Sequence, residues 1–211
     1  MKKAGEVMKK VFAGLLVLTL AGCSLGPEKK DAAAAYDLGA ARALAGAQPR
    51  IRASLLVQAV AAPGWLESNA IVYRLNYQDA ARQLTYANSR WAAPVASLIT
   101  QRLRAQLAAA SDGGIVNIAD SARADYALRV ELEEFSQVFD TAEASRAVVV
   151  ARASLVNVAR RSMLAQKTFT FEKTAASANA EGGVRALAGA SGELIDAIVG
   201  WTAASLAQDK K

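Results

Sequence analysis

The sequence predicts an α+β fold, a two-layer sandwich in which a mainly antiparallel sheet carries two packed helices. Several segments alternate apolar and polar residues, which is typical of strands with one buried face. Two others repeat apolar residues every three or four positions, which is typical of amphipathic helices. The order is strands, helix, long strands, helix, and such runs favour helices gathered on one face of an antiparallel sheet.

The chain begins with a segment typical of a bacterial lipoprotein signal peptide, predicted over residues 1–22. Residues 8–23 read MKKVFAGLLVLTLAGC, and the lysines after Met8 favour it over Met1 as the natural initiator. The apolar stretch is shorter than the roughly 20 residues that a membrane-spanning helix needs. An ordinary cleavage site with an incidental cysteine is the alternative. The lipobox consists of the predicted signal peptidase recognition residues Leu20, Ala21 and Gly22, followed by Cys23 as the lipidated residue.

Lipidation at Cys23 predicts a covalent diacylglycerol and an N-acyl chain, and no other cofactor is expected. Each buried methylene contributes about 0.8 kcal/mol, so two or three chains would hold the protein on the membrane permanently. Ser24 stands where lipoproteins retained at the inner membrane tend to have aspartate, which favours the periplasmic face of the outer membrane. Residues 23–35 are small, charged and aperiodic, and they predict a flexible tether before one domain at 36–208.

The domain is predicted to open with a strand and a hairpin. Residues 51–59 alternate with period two, and a turn at 63–64 ends the strand. Residues 71–75 and 83–86 are rich in β-favouring side chains. They predict a hairpin across the polar segment 76–81.

A helix is predicted to start after Trp91, near Pro94, and to end before Asp112. The glycines at 113–114 indicate a turn, and 115–118 a short strand. The apolar positions of the helix are Val95, Leu98, Ile99, Leu103 and Leu107.

Three longer strands are predicted next. Residues 126–132 alternate with one polar face, and the apolar phase then shifts at 133–134, which predicts a bulge or bend. Residues 147–158 carry valine on both faces, as expected of a central strand, and 157–162 supply a turn. The next strand, 163–171, is predicted to point inward with Met163, Ala165, Phe169 and Phe171.

The chain is predicted to end in a long helix from about Glu181, with apolar residues at helical spacing through Trp201. Gly189 and Gly192 are weak points at which a kink or break is expected. The glycines at 182–183, like those at 113–114, lack the lysine and hydroxyl residue of a phosphate loop, so both pairs are predicted to form turns.

Composition excludes several classes of function. The chain has no histidine, so the usual general base of hydrolases and the commonest nitrogen ligand of zinc are absent. We therefore expect neither an enzyme nor a metal site. Removal of residues 1–22 lowers the net charge from +6 to +3, and no basic run is interleaved with aromatic residues, so nucleic acid is not an expected partner. The single cysteine excludes an intramolecular disulfide.

Arg90 and Trp91 form the sharpest local signal for a site. Tryptophan and arginine dominate interface hot spots, which favours a partner contact. The stronger interpretation is structural: Trp91 at a helix start fills the edge of the core, and Arg90 stacks on it or binds backbone carbonyls. Trp65 and Trp201, with Trp91 and the valine-rich strands, could line a lipid groove, but the same side chains are needed for a core.

The remaining polar candidates favour structural roles. Glu131, Glu133 and Glu134 resemble an acid–base or cation site, yet alternation places Glu131 and Glu133 on the solvent side. Lys167 is the one candidate partner for a serine nucleophile such as Ser97 or Ser154, but no spacing supports it. Lys167 is expected to snorkel from a sheet edge.

The ordered short motifs resemble those of the ABC-type transport auxiliary lipoproteins, the group that includes paraquat-inducible protein C. The likeness runs from Tyr36 to Trp201, although each motif alone is short. Besides the lipobox, the motifs are Tyr36-Asp37-Leu38-Gly39, Asn69-Ala70-Ile71-Val72-Tyr73-Arg74, Ser89-Arg90-Trp91-Ala92 and Asp125-Tyr126-Ala127-Leu128.

The resemblance implies a non-catalytic accessory of an ABC transporter and a periplasmic MCE-domain protein, which move lipids or other hydrophobic molecules between the two membranes of Gram-negative bacteria. Its implied partners are the MCE-domain protein, the ABC subunits, the membrane through the lipid anchor, and further copies of the chain in a homo-oligomer. The alternatives are a lipid-binding carrier with its own cavity, or an envelope scaffold without a transporter partner.

Overall fold

The computed structural model describes residues 32–40, 50–117, 120 and 122–209. Leu20, Ala21, Gly22 and Cys23 lie outside the described residues. The strands are β1 (Ala34–Tyr36), β2 (Leu55–Val57), β3 (Ala70–Leu75), β4 (Asp79–Trp91), β5 (Ile115–Val116), β6 (Tyr126–Phe139), β7 (Ser145–Asn157) and β8 (Ser162–Thr174). The helices are α1 (Val95–Ala110) and α2 (Ala180–Asp209), and a single 3₁₀ turn covers Gly64–Leu66.

The strands form one open sheet in which β6 is the central branch point. Its whole length pairs antiparallel with β7, which pairs antiparallel with β8. The other side of β6 is shared, because β2 pairs in parallel with residues 126–128 and β3 with 137–139. Strand β5 continues the sheet beyond β2, and β4 and β1 continue it beyond β3. The predicted α+β sandwich is confirmed, with the longest ladders antiparallel and four short parallel ladders that make the sheet mixed.

The predicted bulge in β6 is confirmed. The register with β7 shifts between Leu132 and Glu134, so that Leu132 and Phe135 both reach the buried face although they differ in parity. Without the extra residue, Phe135 would point away from the helices. The bulge therefore keeps both halves of β6 in one core.

Both helices pack on this face of the sheet and share its core. Strand β7 presents Ala147, Ala151 and Ala153 to that side, all fully buried. These small side chains allow α2 to lie close to the sheet, which explains how an alanine-rich sequence fills its core. The largest helix side chains without solvent exposure are Ile99, Leu103, Leu107, Leu187, Leu194 and Ile198.

The expectations of a break in α2 and of a turn at 182–183 were wrong. Helix α2 is continuous from Ala180 to Asp209, and both glycines lie in its first turn. A Cβ on Gly183 would stand 1.9 Å from Oε1 of Gln137, and one on Gly189 2.9 Å from Cδ of Lys173. These glycines serve the close approach of helix to sheet.

The hairpin is longer than predicted, whereas the helix starts near Pro94 as predicted. Its turn occupies only 76–78, and β4 continues to Trp91. Arg90 and Trp91 are therefore strand residues, and α1 begins at Val95, directly after Pro94. Few side chains of β4 are buried, so its sequence lacks the apolar alternation that would have predicted the whole strand.

The strand predicted at 51–59 is limited to Leu55–Val57, although Ile51, Ala53, Leu55 and Val57 are buried as the alternation requires. The loop after α1 crosses this segment closely. A Cβ on Gly113 would lie 2.4 Å from the backbone of Ala53, which leaves no room for a regular ladder there.

Strand β8 departs from its predicted phase at its first residues. Its register with β7 shifts between the pairs of Leu155 and Val156, which leaves Leu164 as the extra residue. Met163 is consequently 58% exposed, not inward, whereas Phe169 is buried as predicted. Only the residues before the bulge point to the opposite face from the one predicted, because from Ala165 onward the side chains alternate as predicted.

Candidate interaction surface

The structure separates the predicted pair Arg90 and Trp91. Trp91 is buried. Its backbone N–H donates to the carbonyl of Asn69 at 2.7 Å, and its ring meets the Phe135 ring edge-on, with 5.7 Å between the ring centroids. Arg90 is exposed on the opposite face; its backbone is paired with β1 and β3, but its side chain makes no hydrogen bond or ion pair within the described ranges. Alternation along β4 explains the separation, so the stacked Arg90 that was expected is not found.

The segment Tyr36–Gly39 ties the N-terminal strand to the body of the domain. Tyr36 pairs with Trp91, and its carbonyl accepts the N–H of Ala92 at 2.6 Å. The Asp37 carboxylate accepts the N–H of Gly39 at 2.7 Å, and Gly39 has a φ of 73°, a left-handed conformation that glycine adopts without strain. The segment would thus fasten the predicted lipid-anchored end to the sheet.

Arg102 of α1 completes this attachment. Its guanidinium donates to the carbonyl of Leu38 at 2.8 Å and also to that of Gly39. These bonds satisfy carbonyls of a segment that leaves the sheet, while the Leu38 side chain is buried in the core.

We predict that Arg102→Met loosens this segment with little change in global stability, because the guanidinium bonds are lost while the aliphatic stem is kept. Limited proteolysis should cut near residues 37–40 several times faster than in the unsubstituted protein. Arg185→Met, an exposed arginine on α2, is the control and should leave the rate unchanged. Equal cleavage of both variants would contradict the attachment role.

Gln137 is the centre of a buried hydrogen-bond network that sequence patterns did not indicate. Its Oε1 accepts the hydroxyl of Tyr86 at 2.8 Å, and its Nε2 donates to Oγ of Ser145 at 2.8 Å and to the carbonyl of Asn179 at 3.2 Å. The network joins β4, β6, β7 and the start of α2. The sequence did not predict that Gln137 is buried, because it follows the bulge and is a polar residue on a face that apolar residues occupy elsewhere.

Burial raises the pKa of the Tyr86 phenol to about 12, with a smaller contribution from Tyr73, whose ring lies 4.6 Å away. The folded protein thus holds the phenolic proton more tightly than the unfolded chain. Stability is therefore expected to fall as the pH rises from about 10 toward 12. Denaturant titrations across this range should show a shallower decline for Tyr86→Phe, and an equal decline would contradict the assignment.

The three glutamates of β6 are engaged in ion pairs, not gathered in an acid–base site. Glu131 and Glu133 lie on the solvent side, as predicted, and both contact Arg152. Glu134 pairs with Arg74 at 3.3 Å, and that guanidinium lies 5.6 Å from the centroid of Trp65. Such partly exposed pairs contribute about 0–1 kcal/mol each, and they describe a solvated face.

A groove of about 580 Å³ lies where β8 meets α2. The partly exposed Trp201 meets the Phe169 ring edge-on at 5.9 Å, and Nζ of Lys167 lies 5.1 Å from the centroid of that ring. Sequence patterns indicated the inward Phe169, the edge position of Lys167 and Trp201 as a possible groove residue, whereas Trp65 and Trp91 do not line this groove. The lining residues are Lys167, Thr168, Phe169, Thr170, Phe171, Ala197, Gly200, Trp201 and Ala204.

The candidate pair Ser154 and Lys167 is separated by the sheet in the part of the chain that the structure describes. Ser154 binds Gln166 on the outer face of the sheet, at 2.8 Å, whereas Lys167 lies on the helix side. Among the residues that the structure describes, no cluster of three acidic, cysteine or histidine ligands could hold a metal. Within the same ranges, no helix is long and apolar enough to cross a membrane.

The fold is an α+β domain in which two helices cover one face of an open mixed sheet. A model of the family described as ABC-type transport auxiliary lipoprotein component matches residues 36–199. The chain belongs to this family, and the resemblance drawn from its motifs is confirmed. No curated protein sequence matches the chain.

Solved structures share this fold. A DUF330 protein from Xanthomonas campestris is similar with a TM-score of 0.73 and 20% identity, over 83% of this chain and 98% of that one. An uncharacterised protein has a TM-score of 0.61 at 20% identity, over 80% and 97% of the two chains. A hypothetical protein from Chlamydia trachomatis has a TM-score of 0.50 at 10% identity, over 74% and 98%. At these identities the likeness concerns the fold alone.

Proposed function

We propose that the protein is a non-catalytic, lipid-anchored accessory of an ABC transport system that includes a periplasmic MCE-domain protein. In this proposal the system moves lipids or other hydrophobic molecules across the Gram-negative envelope, and the chain sits on the periplasmic face of the outer membrane. The observation that carries the proposal is the family match over 36–199 in a chain that has a lipobox before Cys23.

The length of the predicted tether is compatible with an anchor at Cys23. Eleven residue steps separate Cys23 from Ala34, the first residue of β1, and at full extension they reach about 40 Å. Lipid on Cys23 would therefore hold the start of the domain within about 40 Å of the membrane surface.

The anchor is tested by Cys23→Ser. Loss of the acceptor thiol removes the acyl chains, so labelled palmitate should be incorporated into the unsubstituted protein but not into Cys23→Ser. Ser24→Ala, the matched control, should be labelled like the unsubstituted protein. Equal labelling of Cys23→Ser would contradict lipidation at Cys23, and recovery of the unsubstituted protein with inner-membrane density would contradict the outer-membrane assignment.

The transport role is tested by affinity purification of the full-length lipoprotein from its native host in mild detergent. We expect ABC subunits and an MCE-domain protein to co-purify, and to be depleted with Cys23→Ser. A lipoprotein recovered without these proteins would refute the proposed transport role. It would favour the lipid carrier if lipid is bound, and the scaffold if it is not.

A further inference from the structure

Strand β8 presents a long unpaired edge. It pairs with β7 only, over thirteen residues without a proline, and along an antiparallel ladder every second residue directs its N–H and C=O away from the partner. Such an edge is a template for another strand unless something covers it. Within the described residues, no element pairs with this side of β8.

The groove follows this edge. Its lining includes five consecutive residues of β8, 167–171, together with four α2 residues on the helix side of the sheet. An extended segment paired with β8 in the plane of the sheet would run along all five, and every second side chain of the segment would point toward α2.

The helix side of the groove combines aromatic surface with one uncompensated positive charge. Phe171 and Trp201 are partly exposed there. Lys173 is paired with Glu193 at 2.6 Å, but Lys167 has no carboxylate partner within the described ranges and contacts only the ring of Phe169. An occupant with an acidic side chain beside an apolar one would satisfy both features.

A second copy of β8 does not offer this chemistry. In a two-fold antiparallel pairing, residues opposite one another point to the same face. The residues of β8 on the helix side are Ala165, Lys167, Phe169, Phe171 and Lys173, none of them acidic. Pairing two copies would bring a second Lys167 to that face without a carboxylate on β8 to meet it, so the charges disfavour it.

We propose that the free edge of β8 receives an extended segment of a partner protein as an added strand. An apolar side chain of the segment packs against Phe171 and Trp201, and a carboxylate four residues away meets Lys167. That the partner is a component of the transport system rests on the proposed function. The proposal of a docking surface itself depends on the unpaired edge of β8, the groove beside α2 and the positive charge of Lys167.

The test places a photoreactive benzoylphenylalanine at Thr168 or Thr170 of the full-length lipoprotein in its native host. Ala142, exposed in the turn between β6 and β7, is the control position. We expect adducts from 168 and 170, absent from 142, with a single segment of a partner polypeptide that contains an acidic residue among apolar ones. Lys167→Glu should reduce the yield of the adduct about fivefold. Arg82→Glu, a charge reversal at an exposed position of β4, should leave the yield unchanged.

Restoration of the adduct in Lys167→Glu, when the acid of the labelled segment is changed to lysine, is the decisive supporting result. Absence of adducts at 168 and 170, adducts with a second copy of the chain, or adducts with lipid alone would each overturn the docking surface. If ABC and MCE proteins co-purify but never react at these positions, the docking proposal fails and the transport role stands. If the charge-swapped partner lies outside any transport system, the transport role fails and the docking surface stands.

Discussion

Replacing Trp91 with alanine is expected to destabilise the domain by about 3–5 kcal/mol. Trp91 is 1% exposed and packs edge-on against Phe135, so the substitution removes a large apolar side chain and leaves a cavity between β4 and the core. It also weakens the site at which β1 is held, because Trp91 pairs with Tyr36. Urea denaturation followed by far-ultraviolet circular dichroism should show the midpoint lowered with an unchanged slope.

Arg90→Ala is the matched control for this measurement. Arg90 is the preceding residue of β4, exposed on the opposite face, so its truncation should change the free energy of unfolding by less than about 0.5 kcal/mol. Comparable losses for the two variants would contradict the separation of their roles. Loss of partner recovery in Arg90→Ala without loss of stability would restore the interpretation of Arg90 as a contact residue.

Gly183→Ala is expected to destabilise the protein by about 2–4 kcal/mol, although alanine is the better helix former by about 1 kcal/mol. The new Cβ would overlap the side-chain amide of Gln137, which is fully buried. Relief of the overlap displaces the amide from Tyr86, Ser145 and Asn179 and leaves buried polar groups unsatisfied. Denaturant titration measures the loss directly.

Gly189→Ala in the same helix separates the overlap from helix propensity. Its Cβ would approach only the flexible end of the Lys173 side chain, which moves at small cost. The variant should therefore match or exceed the stability of the unsubstituted protein, by up to about 1 kcal/mol. Equal destabilisation by the two substitutions would show that the hydrogen-bond network of Gln137 is not the reason why position 183 requires glycine.

Local patterns were sufficient for much of the fold because each depends on residues close in the chain. Alternation identified β6, valine on both faces identified β7, and a break in the alternation predicted the bulge at 133–134, where Glu133 is the residue without a partner on β7. Helical spacing identified α1 and α2. The same patterns identified only 83–86 of β4, since a strand with little burial on either face has no apolar alternation to read.

The two glycine pairs show why a short local sequence does not by itself identify a turn. In isolation, the pairs at 113–114 and 182–183 look alike, and both were interpreted as turns. Gly114 has a φ of 86° and does lie in a turn, whereas Gly183 is helical and necessary because Gln137 approaches it from another strand. A close approach between distant segments leaves no local signal in the sequence.

The sequence by itself determined the α+β class, most of the strands and helices, the family and the predicted lipid anchor at Cys23, since these follow from periodicity and short motifs. Only the tertiary structure decided that Trp91 is core while Arg90 is exposed, that Gln137 joins four elements, and that β8 and α2 form a groove beside an open edge. Each depends on which distant side chains the mixed sheet brings within contact distance, and this pairing is set by packing across the whole domain.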